Sequence, residues 1–132
     1  MEKIKNYIFT KVTGNTELQT LLSDGAGGYD FYVPSIPTGK EFETGMAASI
    51  LNAPKNFPTI EAYTVQFNIF SKLDTNASKV FAALADLFDQ NRNDTDGTIT
   101  IVASKQTDGG DLPRDVDTGE YHQFAVYNFI VR

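Results

Sequence analysis

Residues 62–72, AYTVQFNIFSK, alternate apolar and polar side chains and then give way, within a few positions, to a helical repeat. Successive side chains of an extended strand point to opposite sides. Tyr63, Val65, Phe67 and Ile69 therefore share one face, and Thr64, Gln66 and Asn68 share the other. Beyond Asp74, Thr75 or Asn76, the candidate N-caps, Val80, Phe81, Leu84, Leu87 and Phe88 recur as one stripe of a helix over 77–90. A strand with one apolar face, followed by a helix with one apolar stripe, buries both by laying the helix on the strand. The second face of the strand is uncharged and hydrogen-bonding, where a strand meant only for water more often carries Lys or Glu. Solvent, a substrate or a second copy of the chain are the three things it can look at.

The rest of the chain supplies the other elements. Residues 3–22 carry Ile4, Ile8 and Val12 on one helical stripe, break at Thr13-Gly14-Asn15 and resume with Leu18, Leu21 and Leu22. SDGAGG at 23–28 ends that helix, and YDFYV follows as a short strand stopped by Pro34. Residues 34–59 hold all but one of the five prolines, with MAASIL at 46–51 as a candidate strand inside them. So long a connection marks a place for partner contact. DGTITIVAS at 96–104 and HQFAVYNFIVR at 122–132 predict two further strands. Between them, KQTDGGDLPRDVDTGEY has no apolar period, which leaves a mobile loop that orders on a partner or a pair of hairpin arms. This order predicts an α+β fold, a mostly antiparallel sheet with two helices packed on it and long loops, in a single domain over 1–132.

Composition excludes whole classes of function. With no Cys, thiolate catalysis and cysteine-based metal sites are ruled out. No apolar run approaches the roughly 20 residues of a membrane span, and the mixed N-terminus lacks the apolar run of an export signal, so no membrane and no export are expected. A net charge of −6 opposes a grip on nucleic acid, which needs Lys and Arg against phosphate.

Motifs of chemistry fail on their spacing. NRNDTDGTITI at 91–101 resembles a calcium loop through Asp94, Asp96, Gly97 and Ile99, but Arg92 falls on its first ligand position and Ala103 on its last. A tight Asp-Gly turn is the expectation there. Gly39-Lys40 is followed by Glu41, and GAGG at 25–28 has no strand before it, so neither holds a nucleotide phosphate. His122 is the only histidine and no nucleophile motif accompanies it, so a surface position at a strand end is expected. Asp115 and Asp117 lack the aromatic surround of a sugar-cleaving pair. Elimination leaves a binding or assembly module without cofactor, metal or catalytic residue; a small-ligand-binding or enzyme domain is the alternative from another class.

YTVQFNIFSKLDTNASKVFAALADLFD, then DGTITIVASKQTDGGDLPRDVDTGEYHQFAVYNFIVR, preceded by the broken helix and its glycine exit, resembles the tail terminator proteins of long-tailed bacteriophages, also called tail completion or head-to-tail joining proteins. The resemblance implies a non-enzymatic structural protein of the virion, assembled in the host cytoplasm and placed at the head–tail junction. It implies a homo-hexameric ring that caps the tail tube, stops its polymerisation and contacts both the tail tube protein and a head completion or neck protein. Another neck or tube component is the alternative within this class. Viral DNA passes such a ring without specific binding, which acidic loops favour by repelling phosphate. The interface residues it suggests are Thr64, Gln66 and Asn68 on the uncharged strand face, and Asp108, Asp111, Arg114, Asp115 and Asp117 on the acidic loop, where Arg114 would meet a partner carboxylate.

Overall fold

The computed structural model describes residues 2–51, 61–97 and 99–132. Two helices open the chain, α1 (Glu2–Gly14) and α2 (Thr16–Leu22), separated at Asn15, whose side chain accepts from the Leu18 amide at 3.0 Å. Asn15 caps the second helix, so the break is a new N-terminus. Then follow β1 (Phe31–Tyr32), β2 (Thr44–Ile50), β3 (Glu61–Ser71), α3 (Asp74–Phe88), β4 (Asn91–Asp96), β5 (Ile99–Leu112) and β6 (Tyr121–Val131). The six strands form one sheet in the order β1-β2-β3-β6-β5-β4. Among the described residues only the β1–β2 pairing is parallel; the others are antiparallel.

The α+β expectation holds, with three helices rather than two packed beside a mostly antiparallel sheet. The core lies between sheet and helices. Tyr63, Val65, Phe67 and Ile69 of β3 and Ala125, Tyr127 and Phe129 of β6 are buried with Ile4, Ile8 and Val12 of α1, Leu18 and Leu22 of α2, and Val80, Leu84 and Phe88 of α3. Phe88 sits at its centre, its ring 5.7 Å from Phe67, 5.3 Å from Phe129 and 6.0 Å from Tyr127. Phe81 and Leu87 flank the α3 stripe and are only partly covered.

Three local expectations are corrected, and one open alternative is decided. The N-cap of α3 is Leu73, whose amide donates to the Ser71 hydroxyl oxygen, rather than Asp74, Thr75 or Asn76. The stretch before Gly97 is not merely a turn, because Asn91–Asp96 forms the edge strand β4 against β5. The segment YDFYV contributes a strand of two residues, since Tyr29 instead bridges back to Ser23. The stretch 105–119 is hairpin rather than mobile loop: β5 runs on to Leu112 and pairs with β6 along its length, with irregularities near Val102 and Thr107. The candidate strand at 46–51 is present as β2, starting two residues earlier; the later part of the proline-rich connection lies outside the described residues.

Candidate functional site

The register of the sheet defines a second face, opposite the helices. β3 turns Ala62, Thr64, Gln66, Asn68 and Phe70 to it, directly across from Ile130, Asn128, Val126, Phe124 and His122 of β6. β5 continues the same rows with Ala103, Lys105, Asp108, Gly110 and Leu112. Thus Gln66, Val126 and Asp108 lie in one row, and Asn68, Phe124 and Gly110 in the next. No formal charge stands on the two central strands of this face, and those at its β5 margin are Lys105 and Asp108.

The amides and hydroxyls here are spent sideways on one another. The Thr64 hydroxyl donates to Asn128 Oδ1 at 2.9 Å, Gln66 Nε2 donates to Asn68 Oδ1 at 3.0 Å, and the same oxygen lies 3.2 Å from His122 Nε2. His122 is not a free surface histidine, because its ring stacks on Phe70 with centroids 4.2 Å apart. Burial lowers its pKa, against the pull of the Glu120 carboxylate, which favours the neutral ring. At one corner the Phe42 ring covers Gly45, where an added Cβ would stand only 2.8 Å from it. This leaves a half-buried, uncharged surface mixing amides with Phe70, Phe124, Val126 and Ile130.

The five remaining candidates sit on the β5–β6 arm. Asp108 shares the open face, Asp111 pairs with Gln123 on the helix side, and Arg114, Asp115 and Asp117 lie in the turn. Asp115 organises that turn: its Oδ1 accepts from the amides of Asp117 at 2.8 Å and Thr118 at 3.2 Å, and its backbone oxygen accepts from Gly119 at 2.8 Å. Gly119 takes φ +74, a left-handed conformation that side chains rarely adopt. Arg114 is engaged within the turn, donating to the Gly119 carbonyl at 2.9 Å with its guanidinium 4.6 Å from the Tyr121 ring centre. Val116 is 95% exposed at the tip. A cleft of about 510 Å³ lies between this turn and the proline-rich connection, lined by residues including Lys40, Phe42, Lys72, Asp117 and Glu120.

The structure therefore splits the eight sequence-derived residues into an open sheet face and an acidic arm joined through Asp108. Sequence reasoning missed Phe70, Phe124, Val126 and Ile130, although the alternation in HQFAVYNFIVR carries the same two-residue signal as β3. It also missed the cluster at the other sheet edge, where the Tyr7 hydroxyl donates to Asp94 Oδ2 at 2.6 Å and Lys11 lies 3.0 Å from the same oxygen. That pair spends Asp94 on structure. Among the described residues no group of His, Asp and Glu is placed to hold a metal ion, and no helix is long and apolar enough to cross a membrane.

No family model matches the sequence, and no curated protein matches it. Among solved structures the chain is similar to a component of the virion of a native gene transfer agent particle, with a TM-score of 0.68 at 11% identity, over 94% of this chain and 90% of that one. At that identity the likeness is one of fold, and it spans the sheet and the helices alike.

Proposed function

We propose that this chain is a structural subunit of a phage-like particle and, more closely, a tail terminator: a non-enzymatic protein that forms a ring on the tail tube, ends its growth and offers a surface to the neck. The observation that carries the virion role is the fold shared almost end to end with a chain of the gene transfer agent virion. The terminator role rests on the sequence resemblance together with a surface suited to it. A head-to-tail contact that closes under rotation makes a ring, and it needs a surface that associates without burying unpaired charge. The open face around Gln66, Asn68, Phe124 and Val126 has that character. The acidic turn, with Asp115, Asp117 and Glu120, suits a channel that repels DNA phosphate.

The test is deletion of the gene in the element that encodes it, followed by electron microscopy of the particles. Overlong tail tubes and unjoined heads are the expected result. Tails of normal length that lack only a fibre or baseplate, or intact particles, would reject the terminator role; tubes that fail to form at all would point to the tube component instead.

A further inference from the structure

β5 is longer than its outer neighbour. It spans Ile99–Leu112, but β4 pairs only with its residues 99–104, and β4 is the last strand of the sheet. From Lys105 to Leu112 the strand has β6 on one side and, among the described residues, no strand on the other. An unpaired edge of this length is a template for a further strand. Helix α3 walls it: the Ser104 hydroxyl donates to the Phe88 carbonyl at 2.6 Å, and a Cβ on Gly109 would stand 3.0 Å from the Phe81 ring. Between Ser78 and Phe81 of the helix and Gly110, Asp111 and Gln123 of the arm lies a cleft of about 250 Å³.

The donors along this edge are held by carboxylates. The Gln106 amide donates to Asp89 Oδ1 at 3.0 Å, and the Gly109 amide donates to Asp108 Oδ1 at 2.8 Å. The Asp89 oxygen, brought by the end of α3, occupies the place that a carbonyl of an adjoining strand would take. Asp86 and Asp111 add two exposed acids. Among the described residues none of the four is in an ion pair, the pairs present being Lys11–Asp94 and Lys40–Asp30. A strand that docks here displaces Asp89 and Asp108 from the amides and leaves two carboxylates in need of new partners. A segment bringing cations satisfies the edge and pairs with the acids it releases, where an acidic segment would add to the four carboxylates already there.

We infer that the outer edge of β5, beside α3, is a strand-addition site for an extended, Lys- or Arg-bearing segment of a partner protein. The inference stands on edge geometry and charge and does not depend on the tail role. A direct test titrates the isotopically labelled full chain with a short blocked peptide alternating Lys with Val and Thr, and with its Glu counterpart. The Lys peptide should bind roughly tenfold more tightly, with the preference shrinking as salt rises. The amides of Gln106, Gly109 and Asp111 should shift and slow in exchange, and Asp86→Asn with Asp111→Asn should erase most of the preference while leaving the spectrum of the free protein folded. No response at those amides, equal binding of both peptides, or perturbation confined to β4 would overturn it. So would protection of the same amides by self-association of the peptide-free protein, which would make a second copy the occupant.

Discussion

Gln90 follows the C-cap of α3 with φ +60, where glycine is the residue of least cost. The position is exposed, and among the described residues its side chain makes no hydrogen bond that truncation would lose. Gln90→Gly should therefore stabilise the protein by about 0.5–1 kcal/mol, the left-handed strain removed being larger than the chain entropy added. A denaturant midpoint that falls would show the strain is compensated elsewhere. Tyr7 and Asp94 give a second residue-scale prediction. Burial pushes the Asp94 carboxyl up, but the hydrogen bonds from Tyr7 and Lys11 outweigh it and hold the group below its ordinary value of 3.8. Burial, and next the bond to Asp94, push the Tyr7 hydroxyl far above its ordinary range. A carboxyl lowered in the folded state contributes stability that is present above its unfolded pKa and is lost as pH falls below it. Tyr7→Phe should cost about 1–3 kcal/mol at neutral pH and flatten the acid limb of the stability curve below pH 4. An unchanged acid limb would place that stability in other carboxylates.

β3 and α3 are legible in the sequence because each has a strong period and buries the face that the period marks. β4 is not, because NRNDTD has no apolar side; what makes it a strand is tertiary, the ladder to β5 and the anchor of Asp94 on Tyr7 and Lys11. The arm is half legible, since DGG signals a turn but the reversal comes later, at residues 113–120, where hydrogen bonds to Asp115 and from Arg114 replace apolar contact. The uncharged face of β3 was visible from its alternation, whereas its meeting with Phe124, Val126 and His122 needed the register, which no local pattern contains. The turn yields a prediction of its own. Asp115→Ala removes the acceptor for two amides in an exposed segment, so amides 117 and 118 should exchange with solvent at least about tenfold faster, while the thermal midpoint moves little. A large drop in the midpoint would mean that the arm supports the core.

For the molecule as a whole, the open face decides between a self-sufficient monomer and a part of an assembly. A sheet face destined for water tolerates charge, and a Lys at its centre changes monomer stability by a fraction of a kcal/mol. A face that is covered by another copy does not, because the ammonium would be desolvated without a partner. Gln66 and Asn68 stand at the middle of this face on β3, directly across from Val126 and Phe124 of β6. Under the proposed ring role, Gln66→Lys and Asn68→Lys, separately, should leave the isolated chain folded and yet abolish assembly on tail tubes, seen as loss of the capped end in micrographs and of the oligomer in sedimentation. Acid should mimic them. His122 lies in the same face with a pKa lowered by burial, so assembly should be favoured by the neutral ring and weaken as pH falls through that lowered value, charging the surface. His122→Gln should remove that pH dependence while keeping a polar group beside Asn68. The reading fails if both Lys variants assemble normally, since a covered face cannot accept an unpaired ammonium at its centre. In that case the ring contact belongs to the arm, and neutralising Asp108, Asp111, Asp115 and Asp117 as Asn would be the change that alters tail length.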